Sequence, residues 1–151
     1  MAQSLCKVYL HVVFHVKCTS PVILDKDLER VFAYISQMVK VTGCQVCCTG
    51  GVNNHVHVLC QLSRIETISH LVEEMKRNSS RWIKTISPYY KNFSWQGGYG
   101  AFSVSQSVVE TTKKYIANQK EHHKKVRFED EYVSFLKSYG IEYDEKYVFS
   151  D

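Results

Sequence analysis

The chain has 151 residues, 44% of them hydrophobic and 23% charged, with a formal net charge of +4. That length allows one domain with a core of its own, and the composition is that of an ordinary soluble globular protein. The apolar runs are too short to span a bilayer, so no membrane partner is expected, and the mild positive charge permits a polyanionic partner without demanding one.

The opening stretch, MAQSLCKVYLHVVFHVK, has histidines and no small-residue cleavage site, so no signal peptide is expected. The six cysteines then read as reduced thiols in a cytoplasm. Cys44 and Cys47 form a single C-x-x-C with no second pair to complete a zinc ribbon.

Residues 7 to 16 alternate: Val8, Leu10, Val12, Phe14 and Val16 on one face, Tyr9, His11, Val13 and His15 on the other. This predicts a strand. Residues 25 to 41 carry Leu28, Val31, Phe32, Ile35, Met38 and Val39 at helical spacing, with Asp25 as N-cap and Gly43 closing the helix. A second strand follows, with Cys44, Val46 and Cys48 inward. A third, VNNHVHVLC, has Val52, Val56, Val58 and Cys60 inward. Ser63-Arg64-Ile65-Glu66 reads as a capping box that opens a long helix through Ile68, Leu71, Val72, Met75, Trp82 and Ile83. YGAFSVS is the fourth strand, with Phe102 and Val104 inward. Residues 107 to 125 form another helix, and a shorter one begins near Glu129. The order β-α-β-β-α-β plus helix predicts an α+β, ferredoxin-like antiparallel sheet. One face is covered by two helices; the other is expected to stay open, with His11, His15, His55 and His57 pointing to it. The chain is read as a single domain over 1–151, with a core of about residues 5–127 and a C-terminal extension of about 128–151.

His55 and His57 are two residues apart on a strand, so both imidazoles reach one point. Neutral imidazole is the commonest transition-metal ligand, and two of them leave coordination positions to fill. On the helix after the fourth strand, Tyr115 and Gln119 lie one turn apart. A phenol with a pKa near about 10 is a weak nucleophile alone. A divalent metal polarising a phosphoryl group remedies that, and the Gln119 carbonyl is a hard ligand suited to Mg²⁺ or Mn²⁺. Lys76, Arg77, Arg81 and Lys84 on the second helix, and Lys113 and Lys114 beside Tyr115, are candidate DNA-phosphate contacts. Trp82 is either a stacking platform or, as its place on the apolar stripe favours, core. Roles for His11, His15, His122 and His123 stay open.

Together, NHVHVL on a strand, GYGAFSVSQS entering a helix, YIANQKEHH on that helix and the closing GIEYDEKYVF resemble the small single-tyrosine HUH transposases, the IS200-like and REP-associated tyrosine transposases. The resemblance covers nearly the whole chain. It implies a bacterial DNA transposase in which Tyr115 is the nucleophile and His55, His57 and Gln119 hold the metal. Such an enzyme cuts single-stranded DNA at hairpin-marked ends, forms a 5′-phosphotyrosine link and needs no nucleotide cofactor. It also implies a homodimer whose tyrosine helix completes the partner's site, with Ser105-Gln106-Ser107 as the bending link. Asn53 and Asn54 stand where many relatives have proline and an acidic residue. Two other readings compete: a catalytically silent or domesticated nucleic-acid-binding module on the same fold, and a metal-dependent hydrolase or metal sensor using the histidines and Cys47.

Overall fold

The computed structural model describes residues 2–150. The strands are β1 (Val8–His15), β2 (Gln45–Val52), β3 (His55–Leu62) and β4 (Gly100–Val104), and the first two helices are α1 (Leu28–Val41) and α2 (Ile68–Ile83). After β4 come α3 (Val109–Ala117), the single turn α4 (Gln119–His122) and α5 (Phe128–Ser138). The sheet order is β2-β3-β1-β4, every neighbouring pair antiparallel, which is the ferredoxin-like topology.

Strand alternation decides the layers. Leu10, Val12 and Phe14 stand opposite Cys60, Val58 and Val56. They form the main core with Val31, Ile35 and Val39 of α1 and Leu71, Val72, Met75 and Ile83 of α2. The alternate residues, including His11, His15, His55 and His57, face the other way. That face is not open, as the sequence led us to expect. It is covered by α3, α4 and α5, and all four histidines are buried. Phe102 and Val104 point to this second layer: Phe102 packs with Val13 and with Phe128, Tyr132 and Leu136 of α5, and Val104 packs toward α3. β3 is therefore buried along nearly all of both faces.

Three local expectations shift. The pairing of β2 with β3 changes register between Val46 and Cys48, a bulge that spends one residue and flips the alternation after it. Cys48 therefore packs with Leu59 and the α3 residues, and Thr49 turns to α1, where its hydroxyl lies 2.8 Å from that of Ser36. The long helix starts at Ile68, with Thr67 as N-cap accepting from the His70 N–H; Glu66 binds the Thr67 N–H instead of closing a capping box at Ser63. Asp25 opens a 3₁₀ turn, Asp25–Asp27, and α1 begins after it. Gly43 does close α1, at φ +85°.

Gly50 sets how closely α3 approaches the sheet. A Cβ there would stand 2.8 Å from the Ile116 carbonyl oxygen and 2.9 Å from its Cγ2. The oxygen belongs to helix backbone and cannot swing aside, so Gly50→Ala pushes α3, and with it Tyr115, off β2. We expect a loss of about 1–3 kcal/mol in urea unfolding; an unchanged midpoint would mean that α3 is not seated as described.

Candidate active site

β3 presents His55 and His57 to the layer beneath α3–α5, and both are fully buried. His55 Nδ1 lies 2.8 Å from Asn54 Oδ1, an acceptor, so the ring proton of the neutral imidazole sits on Nδ1. Its Nε2 carries the lone pair and faces Gln119 Oε1 at 3.1 Å and Glu131 Oε1 at 3.5 Å. Phe128 stacks on the ring at 4.3 Å between centroids and fixes its plane. Asn54, in the turn before β3, thus reaches a candidate ligand and sets its tautomer. His57 Nδ1 lies 2.7 Å from His11 Nε2, and His57 Nε2 lies 3.1 Å from Glu131 Oε1.

The helix predicted over 107 to 125 is broken at Asn118, between Tyr115 on α3 and Gln119 at the start of α4. Both still point into the site. The Tyr115 hydroxyl donates to Glu131 Oε2, and Gln119 Nε2 donates to the same oxygen at 3.3 Å. His122 and His123 approach that oxygen too, at 3.0 and 3.2 Å. The Tyr115 ring stands edge-on to His57, with centroids 5.8 Å apart.

Glu131, 4% exposed, is the centre of this arrangement, and the sequence reading passed over it. The one available signal was an acidic residue on an inward position of a helix otherwise apolar there, Phe128, Tyr132 and Leu136. Burial alone would raise its pKa. The His57 hydrogen bond and charge, the Tyr115 hydrogen bond and His55 outweigh that and hold the carboxyl well below its usual range. Tyr115 is pushed above the ordinary phenol value, first by burial and then by its bond to Glu131. His55 is lowered to about 3 by burial and by His57. His11 is lowered to about 3 by the same two causes.

His55, His57, His123 and Glu131 offer donor atoms that all lie within 4.8 Å of one another. With bonds of about 2.1 Å, adjacent ligand atoms of a divalent cation stand about 3.0–3.5 Å apart. The His57–Glu131 and His123–Glu131 distances, 3.1 and 3.2 Å, fall in that range. The lone pair of His55 Nε2 and two oxygens also face each other with no proton between His55 Nε2 and either oxygen. A cation would relieve that opposition, so the residues fit the divalent metal that the sequence implied. Cys47 has no part in it. It packs on the α3 side with Leu59, away from Cys44 in the main core, and burial raises its thiol pKa.

The basic residues are placed unevenly. α2 lies across the sheet from Tyr115. There Lys76 is half-buried and donates to the Gln96 and Gly98 carbonyls, with its pKa drawn down to about 8 by burial. Arg77 pairs with Glu73 and Glu74, Arg81 is exposed, and Lys84 donates to the Ser80 hydroxyl. Trp82 is half-buried and stacks flat on Tyr34 at 4.6 Å. On α3, Lys113 pairs with Glu110 at 3.3 Å and Lys114 is exposed.

Acid should loosen this site. His11 and His55 stay neutral when folded but take up protons near pH 6.5 when unfolded, so stability falls as pH drops from 6.5 toward 3. Glu131, with its depressed pKa, acts in the same direction below about pH 4.5, where the unfolded carboxylate protonates and the folded one does not. His70, raised by Glu66, opposes them, but it is at the surface and screened. In metal-free buffer we expect Tm to fall on the order of 5–10 °C between pH 7.5 and 5. A flat Tm would mean these imidazoles are not held neutral.

Known proteins converge on the same class. A family model described as "Transposase IS200 like" matches residues 4–119. The chain belongs to the IS200-like transposase family, so transposition of DNA is its class of activity. A candidate transposase of Deinococcus radiodurans R1 shares the fold at TM-score 0.60 and 19% identity, over 79% of this chain and 98% of that one. A REP-associated tyrosine transposase bound to a REP hairpin shares it at TM-score 0.61 and 13% identity, over 84% and 75%. No curated protein sequence matches the chain. Among the described residues no helix is long and apolar enough to cross a membrane.

Proposed function

We propose that this transposase cleaves and rejoins single-stranded DNA at hairpin-marked ends, with Tyr115 as nucleophile and a divalent cation, Mg²⁺ or Mn²⁺, held by His55, His57 and Gln119. The observation that carries the reading is that the Tyr115 hydroxyl and the His57 Nε2 reach opposite oxygens of one buried carboxylate. A nucleophile and candidate metal ligands are thus brought together by three separate elements. The metal, when bound, polarises a phosphoryl oxygen and makes the phosphorus more electrophilic. Tyr115 Oη then forms a bond to phosphorus as the bond to the 3′ oxygen breaks. The phenol gives up one proton and the departing 3′ oxygen takes up one, leaving a 5′-phosphotyrosine link. A second 3′-OH attacks that link and frees the phenol. Phosphodiester bonds are conserved, so no nucleotide cofactor is required. His55 and His57 would hold the metal through Nε2, their rings oriented by Asn54 and His11.

Lys113 and Lys114, on the tyrosine helix, and Arg81 and Lys84, across the sheet, are the proposed phosphate contacts, with Arg77 available if DNA displaces its glutamates. Lys76 contributes to the field from its clamp on residues 96 and 98. We place the protein in a bacterial cytoplasm, as a homodimer whose composite sites form if the link at Ser105-Gln106-Ser107 bends.

The competing reading is a nucleic-acid-binding module without chemistry. One observation favours it: Tyr115 is held protonated by burial and by Glu131. The test is incubation with single-stranded hairpin DNA from the flanks of its own gene, with and without Mg²⁺ or Mn²⁺. A covalent protein–DNA band that requires metal supports cleavage. Tight binding with no band under any condition favours the module.

A further inference from the structure

We propose that Glu131 is itself a ligand of the cation held by His55 and His57, with His123 beside it, so that α5 completes the metal centre. The proposal rests on the metal reading above and extends it to a segment outside the family-matched residues, which end at 119.

The donor chemistry favours it. Two neutral imidazoles and one amide oxygen carry no charge, so without DNA a dication buried under three helices would have no negative ligand. Glu131 brings a full negative charge and a hard oxygen to the same point. Its Oε1 lies 3.1 Å from His57 Nε2 and 3.5 Å from His55 Nε2, the spacing of neighbouring ligands about one ion. Without a cation, that oxygen faces the lone pair of His55 Nε2.

The position is built. Phe128, Tyr132 and Leu136 anchor α5 in a cluster with Val13 and Phe102 of the sheet, which leaves Glu131 little freedom to turn away. Phe128, one turn before it, also stacks on His55, so the helix that delivers the carboxylate orients a histidine as well. With Oε1 on the metal, Oε2 remains toward Tyr115 and positions the phenol beside the ion.

The experiment is Mn²⁺ titration of the purified full chain without DNA, followed by calorimetry and by the EPR signal of free Mn²⁺. We expect Glu131→Gln, nearly isosteric but uncharged, to bind Mn²⁺ at least tenfold more weakly, and Glu131→Asp, charged but shorter, at least threefold more weakly. Glu129→Gln, at an exposed carboxylate two residues earlier on α5, should stay within twofold of wild type. Wild-type affinity in both Glu131 variants, alongside loss in His55→Ala, overturns the assignment and leaves the histidine site standing. If His55→Ala binds as wild type does, the metal reading itself fails. Anomalous scattering from wild-type crystals soaked in Mn²⁺ decides the point without any variant: a peak about 2.2 Å from a Glu131 oxygen supports it, and one beyond about 3 Å overturns it.

Discussion

Tyr115→Phe should abolish the covalent protein–DNA band and lower strand cleavage at least about 10³-fold, because the proposed mechanism makes the Tyr115 hydroxyl the nucleophile. The fold should survive. The ring remains among Val109, Ile116 and Leu59, and Glu131 keeps hydrogen bonds or ion pairs to His57, Gln119, His122 and His123 when the phenol goes. Loss of one hydrogen bond from a carboxylate so well supplied should change stability by no more than about 1 kcal/mol. DNA binding measured by fluorescence anisotropy should be unchanged. Cleavage that persists in the variant with metal present would show hydrolysis by an activated water, and would shift the assignment from transposase chemistry to a hydrolase on the same scaffold.

His57→Ala should have the other large effect, on both chemistry and stability. His57 links two halves of the site: Nδ1 meets His11 and Nε2 meets Glu131. Removing it takes away a proposed ligand, strands the His11 ring nitrogen, and leaves a void where both histidines are buried. We expect a stability loss of about 2–4 kcal/mol in urea unfolding and a fall of at least tenfold in Mn²⁺ affinity, with cleavage lost. Hairpin binding should persist, since the proposed phosphate contacts lie on other elements. Unaltered metal dependence in the variant would remove His57 from the centre. Loss of binding with cleavage intact on the residual complex would contradict the role assigned to it.

Much of this was legible in the chain itself. Strict alternation in residues 8 to 15 and 55 to 60 determined the strands and placed all four histidines on one face, because successive side chains on a strand point to opposite sides. The helical spacing of Leu28 to Val39 and Ile68 to Ile83 determined which side of α1 and of α2 is buried. The H-x-H spacing on β3 put two imidazoles on one face, and with Y-x-x-x-Q it carried the family resemblance that named a candidate nucleophile and three candidate ligands, although Tyr115 and Gln119 proved to lie on two helices.

What only the tertiary structure decided depends on contacts between elements far apart in the chain. That the histidine face is roofed follows from the docking of α3 to α5, and amphipathic spacing does not say which of two apolar sheet faces a late helix will choose. The bulge after Val46, which turned Cys48 toward α3, costs one residue and leaves no compositional mark. Glu131 is the clearest case. In the sequence it is one of three acidic residues in a row, Glu129-Asp130-Glu131, at the start of a helix, where negative charge ordinarily faces solvent and complements the helix dipole. Only the rotation of α5, set by Phe128, Tyr132 and Leu136 against the sheet, turns that one carboxylate inward to histidines 74 and 76 residues earlier in the chain. Local patterns name residue types and faces; which distant groups share a point in space is determined by how the apolar surfaces pack.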